Sequence, residues 1–368
     1  MNTRFSRRDF MMGSGAMLAL SGVGWTGTGR AAVLEVPAVD SLVVKVLTDS
    51  SFDTPVIRTH KMVKVRRARF FSIAEINKAL HNEWGLALAT ESRIGADTRN
   101  LMLDFGYTPR ALLNNMEIMG VDGAKTQALI VSHGHFDHFG GLVAYLERFR
   151  GRLPADLALY AGGEDNFCAR KTGTGVPGHF TDWGVLDRRD LEKLKVRIVK
   201  CEKPTVIQGH AFTTGNIARR SFERLPGGRV LYRKAPDGAG CEMPEQDAKA
   251  PGQYVDDQML DEHATCFNVR DRGLVVISSC GHSGIVNTVR QAMEVSGITK
   301  LHAVMGGFHL FAAEDAYLQR TVAELQAMNP DALIPLHCSG PEMIRIVRAV
   351  APEKLVTSTT GTEFTFGA

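Results

Sequence analysis

From residue 42 onward the chain alternates short apolar runs with stretches of helical period. Runs at 42–47, 86–89, 101–103 and 128–131 are bounded by polar or turn residues and predict strands. Residues 109–119 predict a helix, with Pro109 in its first turn and Gly120 just past its end. Leu142, Leu146 and Phe149 share one face of a short helix. Runs at 274–277, 303–305 and 332–336 predict three more strands. Between them Ile285, Val289 and Met293 step by four, as do Val322 and Gln326. Strand, helix, strand, helix in succession predicts a layered α/β fold.

Two stretches break the pattern. Residues 219–262 are rich in Gly, Pro and charge, with Pro226-Gly227-Gly228 and Pro236-Asp237-Gly238, and read as a long irregular insertion. Residues 162–187 read as an irregular loop, and these two segments are expected to shape the substrate pocket. No internal repeat or low-complexity tract is visible, so residues 32–368 are expected to form one continuous domain.

Residues 1–31 read differently. Ser6-Arg7-Arg8-Asp9-Phe10 places paired arginines ahead of an aromatic, followed by a Gly-rich apolar run at 11–25 and small residues at 29–32. This predicts a twin-arginine signal peptide cleaved after Ala31, with the twin-arginine export machinery as partner and the periplasm as destination. The run is too weakly apolar for an anchor, and no other stretch reaches the ~18 residues of a membrane span, so no stable membrane anchor is expected.

The 368 residues are 44% hydrophobic and 23% charged, with net charge +3. The leader carries four Arg against one Asp, so residues 32–368 are formally neutral, and charge gives no argument for a nucleic-acid partner. The six cysteines, at 168, 201, 241, 266, 280 and 338, form no C-x-x-C pair. Export would permit disulfides that sequence cannot pair. Cys280 and Cys338 stand beside motif histidines, where a role near a metal competes with burial; burial is expected for the other four.

The chemistry concentrates in Ser132-His133-Gly134-His135-Phe136-Asp137-His138-Phe139-Gly140-Gly141, between a strand and a helix. Residues two apart in extended chain point to one side, so His133 and His135 can grip one cation. The turn into the helix then lets Asp137 and His138 face a second position. Three imidazoles and a carboxylate suit Zn2+, with Fe or Mn possible on the same donors. Three later strands also run into histidines: His282 after Cys280-Gly281, His309 after Gly306-Gly307-Phe308, and His337 after Pro335-Leu336. Any one alone reads equally as a satisfied core or loop histidine. Together they point to the carboxyl ends of strands, where α/β sheets gather sites. Asp104 ends another strand on that edge and is expected to orient a ligating imidazole. His179 and His210 are expected to be solvent-exposed, Asp257 is given only a capping or surface role, and His60, His81, His263 and His302 carry no pattern.

The His133 to His138 string resembles the signature of the metallo-β-lactamase superfamily. The chain resembles in particular the branch named after a dihydropterin–ribofuranosylaminobenzene phosphate synthase. The matching segments are 103–106, 132–142, 213–219, 280–285, 306–310 and 337–340, within a resemblance spanning about residues 42–366. The resemblance implies a four-layer αββα sandwich and a metal site, commonly dinuclear and hence two Zn2+. His133 and His135 would hold the first metal, and Asp137 with His138 the second. His337 fits the final-histidine position. Cys280 and His282 share the region of a later ligand, with His282 favoured. Two departures stand out. Pro177-Gly178-His179-Phe180 lies too early to be the Pro-Gly-His-Thr string of lactamase-like members. Ala161-Gly162-Gly163 stands where similar proteins often carry a His, leaving the first metal's third ligand open. An antibiotic-degrading lactamase is not expected.

The expected activity is therefore hydrolysis of an ester, amide, phosphoester or related bond of a small-molecule substrate by metal-bound hydroxide. Asp137 would orient that nucleophile or accept its proton, and His309 would donate to developing negative charge from the rim. An iron-dependent oxidoreductase or dioxygenase on the same ligands is one alternative, and a non-catalytic periplasmic metal-containing binding protein the other.

Overall fold

The computed structural model describes residues 33–367 except 53–58, 70–71, 73, 226, 228, 233–239 and 242–253. The signal-peptide expectation at 1–31 falls outside the described residues, as do parts of the 219–262 insertion. Among the described residues no helix is long and apolar enough to cross a membrane.

The first part of the chain runs β1 (Ala38–Val39), β2 (Ser41–Thr48), β3 (Lys64–Arg67), β4 (Ala87–Ile94), β5 (Asp97–Leu103), α1 (Pro109–Ile118) and β6 (Ala128–Val131). It continues α2 (Phe136–Phe139), α3 (Leu142–Phe149), β7 (Ala158–Ala161), β8 (Ala169–Gly173), β9 (Phe180–Asp182), α4 (Arg188–Lys193) and β10 (Arg197–Lys200). Next come β11 (Thr205–Ile207), β12 (Ala211–Thr213), β13 (Arg229–Tyr232), β14 (Tyr254–Asp256), β15 (Thr265–Val269) and β16 (Gly273–Ser278). The chain finishes with α5 (Ile285–Ser296), β17 (Leu301–Gly307), α6 (Asp315–Ala327), β18 (Ala332–Leu336), α7 (Pro341–Val350) and β19 (Thr362–Gly367).

Two large sheets result. One has the order β10-β7-β6-β5-β4-β2-β19-β3, the other β11-β12-β15-β16-β17-β18 with β1 beside β15. β6, β7, β16, β17 and β18 are buried along their whole length, as uninterrupted apolar runs between two layers should be. Leu42, Leu88 and Ile130 of the first sheet pack with Ile277, Met305 and Ile334 of the second in one core. The outer face of the first sheet packs on Leu112, Met116 and Leu146 of α1 and α3. That of the second packs on Val289, Val322 and Val347 of α5, α6 and α7. Helix, sheet, sheet, helix is the expected αββα sandwich.

Within each sheet the strands that feed the site are parallel, β5 with β6 and β16 with β17 with β18, so their carboxyl ends emerge on one edge. The helix starts are fixed locally. The Thr108 side chain caps α1 by accepting from Ala111 N–H. The Glu223 carboxylate accepts from Val286 and Asn287 N–H at the start of α5.

The two stretches read as irregular are partly ordered. β8, β9, β13 and β14 form a third, four-stranded sheet of order β14-β13-β8-β9. β9 is exposed throughout and β8 buries only Arg170, so neither carries the alternation that marks a half-buried strand. Backbone pairing, the buried ion pairs of Arg170 and a disulfide order them. Cys168 and Cys241 form a disulfide joining this sheet to the insertion, which corrects the expectation of plain burial for both. Cys201 and Cys266 are buried thiols as expected.

Candidate metal centre

β6 delivers Ser132 and His133 to the sheet edge, His135 stands at the start of α2, and Asp137 and His138 lie within its single turn. His282 follows β16 and His337 follows β18, from the opposite sheet. The ligand atoms of His133, His135 and His282 lie within 4.8 Å of one another, and so do those of Asp137, His138 and His337. Cys280 comes equally near His133 and His138. The His133 and His138 rings are 4.3 Å apart and join the two groups. All are buried. His282 thus stands as third imidazole beside His133 and His135, at the place left open above.

The outward nitrogens of His133, His138 and His337 are fixed by partners that leave the inward ones as acceptors. Asp104 Oδ2 accepts from His138 Nδ1 at 2.7 Å and from Ser132 Oγ at 2.8 Å. His133 Nδ1 lies 2.9 Å from that hydroxyl and donates to it, so one carboxylate orients two imidazoles. His337 Nδ1 meets Ser50 Oγ at 3.0 Å, and its backbone N–H donates to Asp49 Oδ1 at 2.7 Å. Nε2 of His138 and of His337 are buried without a hydrogen bond, 3.6 and 3.4 Å from Asp137 Oδ2. Burial disfavours the Asp137 anion, but His138, His337 and His135 outweigh it and hold the carboxyl well below its usual range. Buried imidazole nitrogens and an ionised carboxylate converging on one space fit a divalent cation of the zinc type, and equally iron or manganese.

The segment read as an insertion supplies carboxylates not singled out from the sequence. Arg170 of β8 is buried and donates to Asp257 Oδ2 at 2.8 Å, Asp261 Oδ2 at 2.9 Å and the Gly134 carbonyl at 2.9 Å. Asp261 Oδ2 in turn accepts from Gly134 N–H at 2.7 Å. Both polar groups of the residue between His133 and His135 are therefore clamped. A Cβ on Gly134 would overlap Arg170 Nη1, so only glycine fits there. Asp257 is buried, with Oδ2 3.6 Å from His135 Nε2, which corrects the surface reading, while its Oδ1 accepts from Met259 N–H at 2.8 Å as a local cap. Glu262 accepts from the N–H groups of His282 and Ser283 at 2.8 and 2.5 Å and fixes that loop. His263 is buried, its Nε2 donating to Val131 O at 3.1 Å. A Cβ on Gly162 would overlap the Asp261 carbonyl, so the crossing 261–263 segment accounts for the side chain missing there. The one sequence signal for this group was the density of acids in Asp256-Asp257 and Asp261-Glu262-His263.

His309 sits at the rim, its ring 4.1 Å from that of His282 and its Nδ1 3.4 Å from Cys280 Sγ. Cys280 and Cys338 Sγ are 3.2 Å apart, so both thiols border the cluster. Other histidines stay apart. His179 is exposed. His210 is buried, bonded to Ser92 and Asp97, against the expectation of exposure: it lies where β12 meets the inter-sheet core. His302 pairs with Asp331.

The chain is similar in sequence and fold to known proteins. The family model of the metallo-beta-lactamase superfamily matches residues 93–198, which hold the His133 to His138 string. A solved metal-dependent hydrolase of the beta-lactamase superfamily superposes with TM-score 0.62 at 19% identity, covering 88% of this chain and 98% of its own. The chain has the metallo-β-lactamase fold. It is similar to the 7,8-dihydropterin-6-methyl-4-(beta-D-ribofuranosyl)-aminobenzene-5'-phosphate synthase of Methanocaldococcus jannaschii, with 27% identity over 75% of this chain and 89% of that protein. It is also similar to an uncharacterized protein of the same archaeon, with 25% identity over 67% of this chain and 82% of that one.

Proposed function

We propose that the protein is a metal-dependent hydrolase, zinc-loaded in its native state, acting on an ester, amide, phosphoester or related bond of a small molecule. The observation that carries this is the convergence of His133, His135 and His282 beside Asp137, His138 and His337, six buried donors from both sheets. The first three would hold one cation and the second three another. A divalent cation there would acidify a water and polarise the substrate oxygen. Asp137, as a carboxylate in the second group, would orient the attacking water and could accept its proton. His309, half-buried at the rim, is placed to donate to the oxygen that gains charge. Trp84 packs edge-on against Phe311 and lies tilted against the His337 ring.

The reading extends to the leader: folding and metal loading in the cytoplasm, followed by twin-arginine export to the periplasm. The Cys168–Cys241 disulfide suits such a compartment.

The test is metal analysis of the purified protein together with a panel of chromogenic esters, phosphoesters, lactones and amides. His135→Ala and Asp137→Ala are expected to lose metal and all turnover. Full metal content and full activity in both would sink the mechanism. Because the methanogen relative is named a synthase, an unreactive panel with two bound metals would redirect the reading to group transfer on the same site.

A further inference from the structure

Beside the metal cluster the surface opens into a groove of about 890 Å3, a size typical of small-molecule pockets. His309 and Phe311 form one end of it. Since the His309 ring lies 4.1 Å from that of His282, groove and cluster share a wall. Large apolar side chains that folding leaves in water gather here: Phe311 is 48% exposed, Val176 56% and Phe180 41%. Trp84, 43% exposed, extends the row, its ring 5.6 Å from Phe311 and 5.1 Å from His337. Exposed apolar groups that cluster at the mouth of a polar site mark a binding surface, where scattered ones would not. The charged side chains on the lining, Arg224 and Glu314, have opposite signs, so apolar area and not net charge decides what fits.

We infer that this groove seats the apolar, aryl-bearing part of the substrate while its reacting bond lies at the histidine cluster. The substrate class is an aryl or arylalkyl ester, amide or phosphoester, in preference to a short or highly charged one. The inference rests on the hydrolase reading for which bond is cut, but not for what is bound. Val176 and Phe180 line the groove from the β8–β9 hairpin, and Phe311 lines it from the loop after β17. An aromatic ring between them is stacked on Phe311 and removed from water.

The experiment titrates 4-phenylbutyrate and acetate, which share a carboxylate, into the metal-loaded protein and follows tryptophan fluorescence, with Trp84 as nearby reporter. Phenylbutyrate is expected to bind at least about tenfold more tightly than acetate. Val176→Asp and Phe180→Ala, both at exposed positions away from the metal ligands, are expected to bring the ratio towards one with metal content and circular dichroism unchanged. Equal affinities in the wild-type protein, or a ratio that survives both substitutions, overturns the inference. A ratio that holds while no substrate is cleaved sinks the hydrolase reading alone. Turnover without any preference sinks the groove alone.

Discussion

Asp104 accepts three hydrogen bonds, from Ser132 N–H, Ser132 Oγ and His138 Nδ1, while its own backbone sits at φ 57°. His309 and His337 share that left-handed conformation, at φ 49° and 46°. Non-glycine residues adopt it at a cost that only surrounding contacts hold in place, and such strain collects at functional sites. Asp104→Ala should free both His133 and His138 to turn away from the cluster. Metal affinity is expected to fall roughly 10- to 100-fold, measured by competition with a coloured chelator, with secondary structure unchanged. An unaltered affinity would mean that the imidazoles are held by packing alone. Gly134→Ala is expected to act more harshly, since its methyl group must displace Arg170 or the backbone carbonyl of Asn166. A loss of about 1–3 kcal/mol in urea unfolding, with metal lost as well, is the expected result.

Much of this centre was legible at the level of single residues. The spacing of His133, His135, Asp137 and His138 encodes chemistry in a few adjacent positions, and His282, His309 and His337 each follow an apolar run that could hardly be anything but a strand. The acids were not legible, for a physical reason. Asp257, Asp261 and Glu262 lie in a segment without apolar period, where an acidic side chain reads as solvated surface. Asp257 and Asp261 are paired in the interior by Arg170, which precedes them by a long stretch of chain, and Glu262 by the N–H groups of His282 and Ser283.

At the scale of elements, the third sheet braces the motif loop. β8 brings Arg170 beneath Gly134, and the chain after β14 supplies the matching carboxylates. The sequence showed no strand there because β9 is wet on both sides and β8 nearly so. It did reveal β2, β4, β5 and β6 of one main sheet and β16, β17 and β18 of the other, whose apolar runs match their burial, but not the short outer strands such as β3, β10, β11 and β12. Burial disfavours charge on Arg170, yet Asp261 and Asp257 outweigh it and keep the guanidinium protonated at any working pH. Removing one partner of a buried pair leaves the other uncompensated, so Arg170→Leu is expected to cost about 3–5 kcal/mol in chemical denaturation. Its metal content should fall in parallel. A variant that loses stability but binds metal normally would show that the brace serves the fold and not the centre.

For the whole molecule, the cluster is where the two sheets meet at their edge, with His133 and His138 on one and His282 and His337 on the other. Any cation bound there stabilises the native state alone, by RT ln(1 + [L]/Kd), about 4 kcal/mol at a thousandfold excess over Kd. Exhaustive chelation is therefore expected to lower the melting temperature by several degrees, and re-addition of Zn2+ to restore it. The core sets a second limit at high pH. Burial pushes the Cys201 thiol from its ordinary 9.0 up to about 11, and raises Cys266 and Tyr145 as well. Between pH 9 and 11 the unfolded chain releases protons that the native state keeps, so stability is intact below about pH 9 and falls as pH rises through that window. Melting temperature against pH should show this decline, and Cys201→Ser should lessen it.

The pairing of early and late histidines in one cluster also has a bearing on synthesis. A half-made chain on the ribosome can present the 133–138 quartet but has no His337 to complete it. Filling of the Asp137, His138 and His337 group would then await nearly the entire polypeptide, and its occupancy would serve as a built-in certificate that translation has finished.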